Sequence, residues 1–254
     1  MHPTPVGYDA NSLIGISGRI ASRTGRDVLR SVDPARVCSL IPFERVIHDL
    51  DFERVAVISG SASEPELAFI PGDCRVAFLN FEDDPELFDL DLDWSESRWR
   101  AYHDRYELVL CEHVRNPQRA VSNLRQLLRT GGMLHISAPA LNGRHGLPNY
   151  YYAGLSPEIL SHWVKNAGLV ANSASSWGSS KAARMCATCD WQPLAVSGSF
   201  SLFWAYFQSN RESWAAILST LRLRLRHSVR YPFQPPVSVQ SGDAVISGVF
   251  AVRP

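Results

Sequence analysis

Short apolar runs alternate with polar, amphipathic segments from about residue 54 onward. Four runs are apolar along almost their whole length and end in small or polar residues; they span 54–58, 75–79, 106–110 and 133–137. Continuous apolar character is typical of strands that are buried on both faces of a parallel sheet. A further apolar run, residues 244–252, predicts a final strand.

Two segments between and after these runs have helical periodicity. Residues 117–129 repeat apolar side chains at helical spacing, and Gly131 and Gly132 follow as the expected helix stop. Residues 157–167 open with proline and precede Gly168, which repeats the pattern. Strand and helix alternating in this way predict a doubly wound, Rossmann-like α/β sheet, mostly parallel, with helices on both faces.

The remaining segments predict less regular structure. Residues 39–50 favour a short helix, the Ser-rich residues 173–180 favour a loop, and the aromatic-rich residues 200–207 favour a helical insertion before the last strand. That aromatic run is a candidate lid over a ligand, or the core of the insertion. We therefore expect three parts: an N-terminal helical lead-in or cap at 1–50, an α/β core at 51–180, and an insertion with the final strand at 181–254.

Composition narrows the functional classes. Hydrophobic residues make up 45% and charged residues 20% of the 254 positions, which is ordinary globular composition. The 25 basic and 25 acidic residues balance, so no global field favours a nucleic-acid partner. The N-terminus lacks a signal-peptide pattern, no apolar run approaches the ~20 residues of a membrane span, and the five cysteines are odd in number. These features predict a cytoplasmic protein without a transmembrane segment.

Residues 107–139 carry a specific family resemblance. They read E-L-V-L-C-E-H-V-R-N-P, then a helical segment, then G-G-M-L-H-I-S-A-P. This stretch closely resembles the unit from the fourth to the fifth strand of class I S-adenosylmethionine (SAM)-dependent methyltransferases. The resemblance implies a seven-stranded sheet, SAM as cofactor and S-adenosylhomocysteine as product.

A second segment resembles a narrower group within that family. Residues 145–160 are similar to a segment of methyltransferases of type 11/12, encoded with sugar and surface-polysaccharide genes. The resemblance implies O-methylation of a glycan or small-molecule hydroxyl. Aromatic rings and an imidazole suit a sugar face and its hydroxyls, whereas simple loop packing is the alternative. The predicted acceptor-side residues are His145, Tyr150, Tyr151 and Tyr152.

The family's Gly-rich cofactor loop falls after the first predicted strand. Its acidic position falls on Val57, and its glycines fall on Ser59, Ser61 and Ser63; a shift of the alignment by one residue would instead use Gly60 as the only glycine. Glycine tolerates positive φ, and a serine in that conformation is strained by about 1–2 kcal/mol. The resemblance assigns cofactor binding to Ser59, Gly60 and Ser61 through this modified loop.

The same resemblance implies further cofactor contacts. Asn80 stands where the family usually has the acid that binds the ribose hydroxyls, and it retains a donor and an acceptor without the charge. Asp93 with Trp94 is the predicted pair for the adenine, although a solvated acidic loop explains these residues equally well. Phe81 and Cys111, at the ends of two strands, complete the predicted cofactor set.

Three features have competing interpretations. His113 follows a strand at the edge where ligands bind in such sheets, so it is a candidate base, or else a helix cap. Cys186 and Cys189 form a lone C-x-x-C without a second pair, which predicts no metal site and leaves their role open. The basic and apolar residues 221–227 favour a solvated helix face, with peripheral membrane contact as the alternative.

The sequence thus supports two functional hypotheses. The first is a SAM-dependent methyltransferase acting on a sugar or small-molecule hydroxyl. The second is a degenerate methyltransferase-like domain that serves as a binding or scaffold partner, because Val57, the serines of the loop and Asn80 alter three expected contacts together.

Overall fold

The computed structural model describes residues 10–24, 40, 43–48, 50–80, 83, 88–95, 97–112, 114, 116–139, 155–177 and 246–254. The chain divides into two compact units. The described part of the first unit contains the N-terminal helices and Ala62–Ile70, whereas the second contains Leu50–Ser61, Pro71–Ser176 and Ser247–Pro254. The three-part division expected from the sequence stays a prediction.

Short helices make up the described part of the first unit. Helix α1 spans Ala10–Arg23 and buries Ile16 and Ile20 on one face. Residues 43–47 are also helical, within the segment where the sequence predicts a helix. A 3₁₀ helix at Pro65–Phe69 packs on α1, where the Arg19 guanidinium lies 5.2 Å from the centre of the Phe69 ring.

A six-stranded sheet organises the second unit. Its strands are β1 Arg54–Ile58, β2 Arg75–Leu79, β3 Tyr106–Cys111, β4 Leu128–Pro139, β5 Val170–Trp177 and β6 Ile246–Val252. They lie in the order β2-β1-β3-β4-β6-β5, with β1 parallel to β2 and β3, and β3 parallel to β4. The mostly parallel α/β sheet is confirmed. A seventh strand is not among the residues that the structure describes, and helices on both faces stay a prediction.

Two amphipathic helices pack on one face of this sheet. Helix α2 spans Pro117–Leu127 and α3 spans Pro157–Asn166, and each begins with a side-chain cap followed by proline. The side-chain oxygen of Asn116 accepts the N–H of Arg119 at 3.3 Å, which satisfies a donor that the first helical turn leaves free. The core between helices and sheet is apolar; it includes Ala120, Val121, Leu124, Leu127, Leu134, Ile136, Leu160 and Val164.

The role expected for Gly131 and Gly132 is wrong. Helix α2 already ends at Leu127, and both glycines lie within β4. Gly131 has φ +77°, and a Cβ on Gly132 would lie 2.8 Å from two backbone carbonyl oxygens, those of Arg129 and Tyr106. Gly132 therefore allows the close approach of β4 to β3, and Gly131 supplies a positive φ within β4; neither stops the helix.

The loop expected at residues 173–180 is also wrong over its whole described part, residues 173–177. Strand β5 runs through Trp177 and occupies an edge of the sheet, next to β6. Its side chains are partly solvated, as Val170 is 54% exposed. This strand forms through its backbone pairing with β6, so it does not need the continuous apolar run by which β1 and β2 were predicted.

The amino ends of three strands are joined by one carboxylate. Glu107, near the start of β3, accepts the N–H of Arg54 at 2.7 Å and that of Glu53 at 3.2 Å. Its other oxygen lies 3.3 Å from an Arg129 guanidinium nitrogen in β4. The side chain of Glu107 is 11% exposed, so these contacts are largely shielded from water. They lie at the amino edge of the sheet, opposite its carboxyl edge.

The helices in the described part of the chain include none that is long and apolar enough to cross a bilayer.

Candidate functional site

The strand order of the sheet reverses direction at β1. From β1 the chain moves to β2 on one side, and then returns to β3 on the other side of β1. Ligands of open α/β sheets bind outside the carboxyl ends of strands at such a reversal. Ile58 pairs with both Leu79 and Cys111, so β1, β2 and β3 end at the same level.

The loop after β1 has an unusual backbone at its first residue. Ser59 adopts φ 55°, in the left-handed region. The family resemblance places the first glycine of the cofactor loop at this residue. Side chains with a Cβ are strained there, by about 1–2 kcal/mol. The loop thus has a conformation that glycine would adopt freely, although serine occupies the position.

Asn80, directly after β2, reaches back to this loop. Its side-chain oxygen accepts the N–H of Gly60 at 3.1 Å, and its side-chain nitrogen donates to the carbonyl oxygen of Gly60 at 2.9 Å. We call this reciprocal pair the Asn80–Gly60 clasp. It brings Ser59, Gly60 and Asn80 together, as the sequence predicts, but the amide contacts the loop itself.

Cys111 lies beside this group inside the core. Its side chain is buried at the end of β3, and burial, followed by the nearby negative charge of Glu112, raises the pKa of its thiol. A thiol that stays protonated packs as a small apolar group. Its predicted cofactor contact stays a prediction.

The acidic segment at residues 88–95 has a buried aromatic residue within it. Trp94 is fully buried, stacks on Trp99 with ring centres 6.2 Å apart, and donates its indole N–H to the Asp89 carbonyl at 2.8 Å. The structure therefore gives Trp94 a core position. Its predicted role beside an adenine ring stays a prediction.

A second asparagine holds this acidic segment. Asn123 of α2 donates to the carbonyl oxygens of Leu90 at 2.9 Å and Leu92 at 2.8 Å, and accepts the N–H of Trp94 at 3.3 Å. Asn123 is not among the site residues predicted from the sequence. One feature of the sequence could have identified it. Asn123 lies at helical spacing from the buried Ala120 and Leu127, and a polar side chain on such an apolar face is expected to be hydrogen-bonded.

Asp93 lies at the surface of the same segment. Its carboxylate accepts the Ser95 N–H at 2.9 Å. That backbone bond, and then the Ser95 hydroxyl, lower the pKa of Asp93. Asp93 also lines a polar cleft of about 390 Å³ along α2, whose other lining residues are Asn116, Gln118, Arg119, Ser122, Asn123 and Gln126. Asp93 thus lines the cleft along α2, whereas Ser59, Gly60 and Asn80 do not line this cleft.

Several predicted residues lie outside the described part of the chain. These are His113, Phe81, His145, Tyr150, Tyr151, Tyr152, Cys186 and Cys189, together with the runs 200–207 and 221–227.

Comparison with solved structures gives remote similarities. The chain is similar to a SAM-dependent methyltransferase from Archaeoglobus fulgidus at 12% identity, covering 91% of this chain and 96% of that one, with a TM-score of 0.40. It is similar to the [4+2]-cyclase SpnF at 10% identity, covering 100% and 99%, with a TM-score of 0.44. It is also similar to Burkholderia thailandensis 1,6-didemethyltoxoflavin-N1-methyltransferase, solved with 1,6-didemethyltoxoflavin and S-adenosylhomocysteine, at 15% identity, 68% and 85% coverage and a TM-score of 0.41.

Comparison by sequence gives no relative: neither a protein-family model nor a curated protein matches the chain.

Proposed function

We propose that this chain is a SAM-dependent methyltransferase that O-methylates a sugar, glycan or other small-molecule hydroxyl. The observation that carries the proposal is the backbone of Ser59. Its φ of 55° gives the loop, at the strand-order reversal, the conformation for which the family pattern uses glycine. A serine that keeps a strained conformation is expected where the surrounding structure or a ligand requires it.

The segment that carries the sequence resemblance supports the same proposal. Residues 107–139 form β3, α2 and β4, in the parallel arrangement that the family unit requires. The end of β3 then lies beside the loop after β1, since Ile58 and Cys111 are paired.

The residues at this edge suit the polar part of a SAM molecule. Ser61 is exposed, and Ser59 and Gly60 are partly exposed, so hydroxyls and backbone groups are accessible there. When bound, SAM supplies the electrophilic methyl group. The chain's own contribution is to hold the cofactor and the acceptor hydroxyl in line. We propose Ser59, Gly60 and Ser61 as cofactor residues, and Asp93 as the acceptor of the adenine amine.

The acceptor side of the proposal rests on the sequence alone. A hydroxyl acceptor needs a group that takes its proton, and His113 and His145 are the residues proposed for this role. Tyr150, Tyr151 and Tyr152 are proposed to contact the acceptor, because tyrosine combines an apolar ring with a hydrogen-bonding hydroxyl.

Calorimetric titration of the full chain with SAM and with S-adenosylhomocysteine tests the proposal. We expect saturable binding of both, and a rise in melting temperature, because a ligand that binds only the folded state stabilises it by about 2.7 kcal/mol at 100 times its Kd. ATP is the matched control, since it carries the same adenosine with a triphosphate in place of the sulfonium and amino-acid part.

Each result has a defined meaning. Binding of ATP as tightly as SAM would indicate a different nucleotide site, and failure of both SAM and S-adenosylhomocysteine to bind at millimolar concentration would overturn the proposal. With binding established, release of S-adenosylhomocysteine in the presence of monosaccharides, glycans or simple alcohols identifies the acceptor class.

A further inference from the structure

The clasp between Asn80 and Gly60 suggests a role that differs from ribose binding. The side-chain oxygen and nitrogen of Asn80 contact the N–H and the carbonyl oxygen of the same residue, at 3.1 and 2.9 Å. We infer that Asn80 is a positioning residue that holds the loop after β1 in its ligand-ready conformation, and that the ribose of the cofactor is held by other groups. This inference rests on the proposed function.

The chemistry of the contact requires an amide. One partner atom must accept from the Gly60 N–H, and the other must donate to the Gly60 carbonyl. A neutral amide offers both, whereas an ionised carboxylate offers acceptors only and would face the carbonyl oxygen unfavourably. The acid that the family pattern has at this place therefore cannot form the clasp when ionised.

The position of the clasp explains why it acts on the loop. Ile58 and Leu79 are the last paired residues of β1 and β2, so Ser59 and Asn80 follow them side by side. The Asn80 side chain extends this pairing by one residue and fixes the peptide that follows the left-handed Ser59. Serine at that position has neither the freedom nor the low strain of glycine, so a contact that holds the next peptide substitutes for the missing glycines.

The first experiment compares stability without any ligand. We expect Asn80→Ala and Asn80→Asp both to lower the melting temperature at pH 7, because each leaves the Gly60 carbonyl without its donor. The melting temperature of Asn80→Asp, relative to the wild type, should rise again at about pH 4.5, which is closer to the ordinary carboxyl pKa of about 3.9. At that pH more of the introduced carboxyl is protonated, and a protonated carboxyl offers one donor and one acceptor. Asn80→Ala, which has no proton to gain, should not recover relative to the wild type.

The sign of this pH effect follows from the contact. The carbonyl oxygen disfavours the ionised form, so the folded pKa of the introduced carboxyl lies above its unfolded value. Its stabilisation is then present at low pH and is lost as the pH rises through the folded pKa. The acidic side chains described on this edge, Asp83 and Glu112, are present in the wild type and in both variants, and Asn80→Ala serves as the reference that has no added carboxyl.

The second experiment separates positioning from ribose binding. The affinities of S-adenosylhomocysteine and of its 2′-deoxy analogue are measured on the wild type and on Asn80→Ala. We expect Asn80→Ala to bind both ligands about tenfold more weakly, as expected for loss of a supporting hydrogen-bond pair. The ratio between the two ligands should stay within about twofold of the wild-type ratio, because a residue that does not contact the hydroxyl is not coupled to it.

Three results would overturn the inference. The first is an Asn80→Asp protein as stable as the wild type at pH 7, and the second is an Asn80→Asp protein that binds S-adenosylhomocysteine more tightly than the wild type does. The third is a ratio of the affinities for S-adenosylhomocysteine and its 2′-deoxy analogue that falls towards one in Asn80→Ala. Failure of the wild type to bind either ligand would instead overturn the proposed function. The ligand-free comparison would then still decide whether the clasp holds the loop.

Discussion

The loop after β1 and the segment at residues 88–95 are both held by an asparagine amide, but the two amides differ in depth and in partners. Asn123 is 3% exposed and joins three residues of the acidic segment to helix α2. Asn80 is partly exposed and contacts the backbone of a single residue, Gly60. The buried amide has no access to water as a substitute partner, whereas the other lies at the edge where a ligand would bind.

This difference separates a structural residue from one that supports a site. Removing a buried amide leaves its partners unsatisfied in a medium without water, and the cost falls on the stability of the fold. Removing a partly exposed amide at the carboxyl edge lets water replace it, so more of the cost falls on the order of the loop. Substitutions in the two regions should therefore affect different measurements.

The largest effect is expected for Asn123→Ala. Loss of three hydrogen bonds, two of them to carbonyl oxygens that remain in place, should lower the free energy of unfolding by about 3 kcal/mol. Urea denaturation measures this change. Ser122→Ala, at the neighbouring exposed position of the same helix, is the matched control and should change it by less than about 0.5 kcal/mol. Equal effects of the two substitutions would show that Asn123 is not a residue on which the stability of the fold depends.

A smaller effect, of opposite sign, is expected for Ser59→Gly. Glycine adopts φ 55° without a Cβ clash, so the variant should be more stable by about 1 kcal/mol. Ser59→Ala retains the clash while removing the hydroxyl, and it should not be stabilised. Thermal denaturation of both variants checks the prediction, and a stabilised alanine variant would assign the effect to the hydroxyl instead of the backbone.

The smallest effect is expected for Asp93→Ala, and it concerns binding. The residue is exposed, so its loss should leave the melting temperature nearly unchanged while weakening S-adenosylhomocysteine about fivefold by removing an acceptor. Asp93→Asn keeps an acceptor and should weaken binding less. Unchanged affinity in Asp93→Ala would exclude the adenine role and leave Asp93 as a residue of the polar cleft along α2.

Strands β1 and β2 could be predicted because their sequence determines them locally. The bounds of β1 and β2 match the apolar runs at 54–58 and 75–79, since both strands are flanked by polar or small residues. Strand β5 could not be predicted in the same way. Its serines and its exposed Val170 resemble a loop, and only its place beside β6 makes it a strand.

That Ser59, Gly60 and Asn80 lie together at one edge was predictable, but their contacts were not. The order of strands and the family resemblance lead to Ser59, Gly60 and Asn80 at one edge. The partner of Asn80 could not be predicted, because an amide that binds a ligand and one that binds a peptide twenty residues earlier look the same in a sequence. Likewise, the acidic residues around Trp94 suggest a ligand, although its ring is buried in the core.

The crowding around Gly132 has a consequence for recognising distant relatives. Two carbonyl oxygens lie 2.8 Å from the place of a Cβ, so a protein with this backbone accepts no other residue there, whatever ligand it binds. The loop after β1 is under a weaker restriction, since serine occupies a left-handed position in it. Over long divergence Gly132 of β4 should therefore be retained longer than any glycine of the loop after β1. A search for distant relatives of this chain would do better to begin from that structural glycine than from the loop after β1.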